Sequence, residues 1–237
     1  MIKAEYIDHM GDDLRVVNAA RVSFDKQSDY ELKHDTPIDY YEYLMGNSIS
    51  DKDAKLIRYL ADHNHWSPFA HCMITLRETV PIFVARQRFK HMVGFTYNEV
   101  SRRYVDDEPE FYVPDVWRSR PEGSVKQGSG AQEIHCFDYP DFGEPLSIKE
   151  EYSFFLHRLE EFYKALIDSG VAPEQARMVL PQSMMTSYYV TGSLAAFARA
   201  YKQRIDPHAQ KEIQDLAVQW DKCIRPLFPK SWEALVE

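Results

Sequence analysis

Apolar positions along the chain change period several times, and each change marks an element. Residues 2–7 read as a short strand, and residues 14–20 as a helix. Ser50 is placed to cap a helix over 51–63, followed by the polar turn HNHWSPFAH and a strand over 73–80. Pro81 suits a first helical position, so IFVARQRFKHM is expected to be helical through Met92. Further on, Ser147 and Glu150 have capping-box spacing. Behind them Tyr152, Phe155, Leu156, Leu159, Phe162, Tyr163 and Leu166 recur at helical intervals until Gly170. Residues 184–190 lean towards strand and 193–204 towards helix, and Asp206-Pro207 is expected to open a last long helix to about Arg225. Strands and helices do not alternate regularly. That predicts an α+β fold, with a mostly antiparallel central sheet flanked by helices.

Residues 119–145 are rich in Gly, Ser and Pro between two well-patterned halves. They are read as a surface excursion within one domain spanning 1–237, because residues on both sides are needed for one site.

Composition narrows the function classes. The chain has 237 residues, 44% hydrophobic and 27% charged, which is ordinary for a globular protein. No apolar run approaches the ~20 residues of a membrane span. The start, MIKAEYIDHMGDD, has no signal-peptide core, so a cytoplasmic location without membrane attachment is expected. The three cysteines, Cys72, Cys136 and Cys223, form no CxxC pair and suggest neither a disulfide framework nor a zinc site. A net charge of -9 argues against nucleic-acid binding. An anionic ligand must therefore meet a local concentration of positive charge on an acidic background.

Such a concentration exists after Pro81. At about 100° per residue, Ile82, Ala85, Phe89 and Met92 share one arc and Arg86, Gln87, Lys90 and His91 the opposite one. Taken alone, this polar arc is a solvated face. The string YNEVSRRYV follows at once, adding Asn98, Glu99, Ser101, Arg102 and Arg103. Guanidinium forks bind phosphate bidentately, while a carboxylate and an amide address amide edges or sugar hydroxyls. Two other readings compete. Arg86, Lys90, Arg102 and Arg103 could serve a nucleic-acid module, against the acidic net charge. His63, His65 and His71 could hold a metal, but their spacing lacks a clear fourth ligand, and no metal site is expected. No GxGxxG occurs, and Trp66, Trp117, Trp220 and Trp232 are expected to be packing residues.

PIFVARQRFKHMVGFTYNEVSRRYV resembles the signature of the flavin-dependent thymidylate synthases, a core of Arg-His-Arg, a seven-residue spacer, Ser, one residue and Arg. HWSPFAH, RMVLP and RIDPHAQKEIQ agree in order and spacing, with a weaker AARVSF near the start. Lys90-His91-Met92 stands where the family has Arg-His-Arg, and the interval from His91 to Asn98 is one residue longer.

The resemblance implies conversion of dUMP to dTMP, with 5,10-methylene-tetrahydrofolate as carbon donor and FAD-borne hydride regenerated by NADPH. It implies dUMP contacts from Gln87, Lys90, Glu99, Ser101, Arg102, Arg103, Arg177 and Arg204. It implies FAD contacts from His65, Ser67, Lys90, His91, Met92, Glu99, Ser193, Leu194, Ala195 and Arg199. Ser193-Leu194-Ala195 occupies a place that is more often Asn-Ala-Arg in the family. The family's homotetramers combine residues of several subunits in each site. Arg204 is the expected catalytic residue, stabilising negative charge on the uracil ring. Its place just before Asp206-Pro207 puts a cation at an expected helix start, which an anion would reconcile. The plain alternative is an Arg204–Asp206 ion pair.

Overall fold

The computed structural model describes residues 1–31, 49–121, 128–139 and 143–237. Its centre is a four-stranded sheet ordered β1-β2-β6-β3, with every pairing antiparallel. The strands are β1 (Lys3–Met10), β2 (Met73–Pro81), β3 (Phe95–Glu99) and β6 (Met185–Ser193). A separate pair joins β4 (Cys136–Phe137) to β5 (Leu146–Ser147). The helices are α1 (Asp13–Arg21), α2 (Asp51–Asp62), α3 (Ile82–Arg88), α4 (Ile148–Asp168), α5 (Pro173–Ala176), α6 (Leu194–Arg204), α7 (Lys211–Ile224) and α8 (Pro229–Val236). The expected α+β class and antiparallel sheet hold.

Period-two patterning explains how the sheet faces. On β2, Ile74, Leu76, Glu78 and Val80 point into the core, while Thr75, Arg77 and Thr79 point the other way. β6 pairs with β2 along its whole length and buries Tyr188 and Val190 on the same inner side. Against this side lie Phe197 of α6, Trp220 of α7 and Trp232 of α8 in one apolar cluster that runs from Val16 to Ala234. The opposite face is polar. Thr75 bonds Thr191 at 3.0 Å, and Arg77 Nε donates to Ser187 at 3.0 Å.

Helix starts follow their caps. Asp12, Ser50, Ser147 and Ser193 each accept a backbone N–H from the first turn of α1, α2, α4 and α6. Gly170, at φ +82, ends the run after α4 as expected.

Several boundaries differ from the sequence reading. α3 stops at Arg88, so Lys90-His91-Met92 lies in a turn, and Pro81 closes β2 and caps α3 from outside. The turn leaves Met92 exposed instead of on the apolar arc, and the side chain that goes inside is Arg88. Residues 95–99, for which no strand was expected, form β3. Gly94 at φ +81 turns the chain into it, and Gly192 leaves room for the Phe95 ring, which a Cβ would meet at 2.3 Å. The helix expected from Asp206-Pro207 begins only at Lys211, because the Asp206 carboxylate takes the backbone and ring nitrogens of His208. α8 was not anticipated. Trp220 and Trp232 are buried as expected, whereas Trp66 is 67% exposed.

Of the proposed 119–145 excursion, residues 122–127 and 140–142 lie outside the described residues. The described parts are tied to the body. Arg118 bridges to Glu133, and its guanidinium pairs with Glu212 of α7 at 2.6 Å.

Candidate active site

The turn from β2 into α3, the end of β3 and the start of β6 meet at one end of the sheet, and there they enclose a cleft of about 790 Å³. Its floor is apolar, lined by Ile82 and Ala85 of α3, by Phe89 just after it, and by Leu180 and Met184. One wall is the turn carrying Glu99, Ser101, Arg102 and Arg103, and the other carries Arg177. Arg86 also lines it. The volume lies within the usual range for a small-molecule site.

Several polar groups of the cleft are held from nearby. The Thr186 hydroxyl donates to Glu99 Oε1 at 2.7 Å, which turns that carboxylate inward. Ser101 Oγ accepts the backbone N–H and Nε of Arg103, both at 3.3 Å, and the Arg103 guanidinium lies 5.1 Å from the Tyr104 ring. Arg102 donates to the carbonyl of Asp107, and Arg177 Nε to that of Glu174 at 3.2 Å. Thr186 and Arg86 had not been assigned to the site. Thr186 could have been found only by recognising β3, whose pairing with β6 brings Glu99 within its reach.

A second group gathers beside α6, outside the lining of this cleft. Arg204 ends α6, and its Nε donates to His91 Nε2 at 2.8 Å. That position corrects two expectations about the setting of Arg204, the helix start and the pairing with Asp206. It lies in a last helical turn, where the dipole favours a cation, and its partner is His91, not Asp206. Burial, then the guanidiniums of Arg204, Arg88 and Arg199, push the His91 ring down to about 4. The imidazole is therefore neutral at physiological pH, with Nε2 free to accept. Burial and Arg88 in turn lower Arg204. Gln87 donates to Gln210 in the same region, and Arg199 donates to the carbonyl of Val93.

The other expected flavin residues are distributed around these two groups. Lys90 and Met92 project to solvent, Met92 being 74% exposed, and His65 and Ser67 lie exposed in the turn after α2. Ser193 caps α6, Ala195 is half-buried, and the Leu194 side chain is wholly in the core, leaving only its backbone to meet a ligand. His63 stacks near Tyr59 with ring centroids 4.1 Å apart, and among the described residues no group of His, Cys, Asp or Glu is placed to hold a metal. No described helix is long and apolar enough to cross a membrane.

The electrostatics of both groups agree. Among the described residues, every ion pair found leaves out Arg86, Lys90, Arg102, Arg103, Arg177, Arg199 and Arg204. Other cations such as Arg58 and Arg158 are likewise in none of these ion pairs, and Asp107, Glu108 and Glu110 also line the cleft. What sets Arg86, Arg102, Arg103 and Arg177 apart is that they gather in that lining, where an anionic ligand can meet them. A flavin's phosphates and a nucleotide phosphate meet that requirement, and the apolar floor suits a ring.

Comparison with known proteins gives the same direction. The family model described as thymidylate synthase complementing protein matches residues 5–230. The flavin-dependent thymidylate synthase of Thermosipho melanesiensis is 34% identical over 98% of this chain and 89% of its own. That of Thermus thermophilus is 33% identical over 98% of this chain and 74% of its own. A crystal structure of the UMP/dUMP methylase PolB from Streptomyces cacaoi, bound with 5-Br UMP, superposes with a TM-score of 0.73 at 29% identity, covering 99% of this chain and 93% of that one. The chain is a flavin-dependent methyl-transferring enzyme and belongs to the flavin-dependent thymidylate synthase family.

Proposed function

We propose that this enzyme converts dUMP to dTMP, with 5,10-methylene-tetrahydrofolate giving the carbon and FAD, reduced by NADPH, giving the hydride. The observation that carries this reading is the unpaired cations around an apolar-floored cleft. Arg103, Arg102 and Arg177 hold the nucleotide phosphate, and Glu99, oriented by Thr186, addresses the pyrimidine or the sugar. The flavin, when bound, supplies hydride to the ring. Lys90, Arg199 and the backbone at Ser193–Ala195 bind it, with Met92, His65 and Ser67 at its edge.

Gln87, Lys90 and Arg204 belong to the expected nucleotide set yet lie outside the lining of the cleft. A homotetramer with shared sites reconciles this, the cleft of one subunit facing the Arg204 group of another. Phe154, Phe155 and Phe162 are exposed along α4 and offer apolar surface for such contacts. UMP is a second candidate substrate, favoured by the likeness to the UMP/dUMP methylase.

The deciding experiment gives pre-reduced protein methylene-tetrahydrofolate with either dUMP or UMP, and follows flavin absorbance and the methylated nucleotide. Formation of dTMP is expected. No product from either nucleotide, with flavin bound, overturns the reading.

No cysteine is expected to act. Burial, then Asp12 and Asp13, push the Cys72 thiol up to about 12, burial raises Cys223, and none of the three lines the cleft. A variant with Cys72, Cys136 and Cys223 all replaced by serine or alanine should therefore still make dTMP, with some loss of stability. Loss of all turnover in a folded, flavin-loaded triple variant would establish a thiol nucleophile instead.

The exposed Met92 gives a second expectation. Met92→Arg meets no steric obstacle, and should tighten FAD by about tenfold, the effect of one charge-assisted hydrogen bond. Titration of FAD into the apoprotein checks this. Weaker binding by a folded variant places Met92 away from the flavin.

A further inference from the structure

Beneath the turn that carries His91 lies a polar network that the family resemblance does not assign. Glu78 and Arg88 are both 0% exposed, and Arg88 Nε donates to both Glu78 oxygens, at 3.2 and 3.1 Å. The same carboxylate accepts the Tyr188 hydroxyl at 2.6 Å and the Trp220 indole N–H at 2.9 Å. The Arg88 guanidinium lies over the rings of Phe95 at 4.3 Å and Trp220 at 4.6 Å. Charge, hydrogen bonds and rings together hold this arginine in one place.

Arg88 passes that fixed position on. Its Nη1 donates to the Tyr97 hydroxyl at 2.7 Å. A phenol that accepts there has one proton left to give, and of the two carbonyls in reach His91 at 2.7 Å is nearer than Arg88 at 3.2 Å. The His91 N–H donates to the Arg88 carbonyl at 3.1 Å. The His91 backbone is thus held on both sides in a segment with no helical ladder of its own, and its ring accepts Arg204 Nε at 2.8 Å.

We propose that Tyr97 is a positioning residue for Arg204, transmitting the fixed geometry of the buried Glu78–Arg88 pair through His91 to the guanidinium that faces substrate. Tyr97 is not among the residues that line the cleft. It sets the angle of the His91 ring, and that ring, the single side-chain acceptor of Arg204 among the described residues, sets the guanidinium. A charge aimed in advance at its target needs no rearrangement during reaction, so loss of aim slows chemistry more than binding.

Tyr97→Phe removes the hydroxyl and keeps the ring, which packs on Phe89 with centroids 5.0 Å apart. The kinetic arm rests on the proposed reaction. In single-turnover oxidation of reduced enzyme at saturating dUMP and methylene-tetrahydrofolate, Tyr97→Phe should be about ten- to a hundredfold slower, with dUMP affinity little changed. In an Arg204→Ala background the same substitution should do almost nothing further, because its route is already cut. Equal slowing in both backgrounds makes Tyr97 a structural residue and overturns the proposal.

A second arm does not depend on the substrate. The Arg204 Nε–H resonance, assigned by its disappearance in Arg204→Ala, should be protected in the wild type and exchange at least about tenfold faster in Tyr97→Phe. Unchanged exchange overturns the proposal whatever the enzyme methylates. Absence of dTMP from the wild type, with this exchange effect present, overturns the functional reading alone. If Tyr97→Phe does not fold, Arg88→Lys, which keeps the buried charge but loses the Nη1 donor to Tyr97, must give the same faster exchange, and unchanged exchange there overturns the proposal.

Discussion

Arg204→Ala is expected to slow oxidation of the reduced flavin by dUMP by about 10²- to 10³-fold, while folding and flavin affinity stay near wild type. Loss of one preorganised group that meets developing charge costs ~2.7–4 kcal/mol of transition-state stabilisation. Arg204 has the features of such a group. It lies in the last turn of α6, it has no carboxylate partner among the described residues, and Nε is fixed on His91 at 2.8 Å. Fixing Nε leaves the two terminal nitrogens for an anion, such as a uracil ring carrying charge. Arg199 and Arg88 add to the local positive field, as the depressed His91 shows. Arg204→Lys should recover part of the rate, since the ammonium keeps the charge but not the planar fork that His91 orients. The measurement is single-turnover oxidation of pre-reduced enzyme at saturating dUMP and methylene-tetrahydrofolate. A wild-type rate for Arg204→Ala assigns Arg204 to binding alone and moves the electrostatic role to Arg103 or Arg177.

The sequence showed the cleft more clearly than it showed what supports it. Glu99, Ser101, Arg102 and Arg103 stand close together in the chain, so the turn after β3 necessarily presents them together, and Arg177 joins from the far side. Caps and period-two alternation were equally local, which is why β2, α2, α4, α6 and most of β6 were legible. Arg204 was misplaced because Asp206-Pro207 imitates a helix start. The Asp206 side chain instead closes a turn on His208, a contact that spacing alone does not reveal. β3 was missed since only Phe95 and Tyr97 face inward over its five residues, too short a pattern beside so many polar neighbours. Arg88 was placed on neither arc of its helix. A signal did exist one strand earlier. Leu76 and Val80 point inward, so alternation sends Glu78 inward too, and a buried carboxylate requires a cation. Which cation answers it depends on tertiary packing.

That pair supplies the largest expected effect on stability. Glu78→Leu, or Arg88→Met, should each destabilise the fold by about 3–5 kcal/mol, because either change leaves an uncompensated charge in the core. Arg88 already carries one terminal nitrogen without a hydrogen-bond partner, so the pair has no slack to absorb the loss. Removing both charges together should be milder, since a buried ion pair replaced by apolar residues of similar volume is often close to neutral. Recovery should still be incomplete. Glu78 also accepts the Tyr188 hydroxyl and the Trp220 indole, and each buried donor left without a partner costs about 1–3 kcal/mol. Adding Tyr188→Phe to the double variant removes one of those donors and should regain part of the difference. Urea unfolding of the wild type, both single variants, the double and the triple gives all the required free energies. Single variants costing less than about 1 kcal/mol would mean that water or neighbouring rings satisfy the orphaned charge. The buried pair would then not be the fixed point from which Tyr97, His91 and Arg204 take their positions.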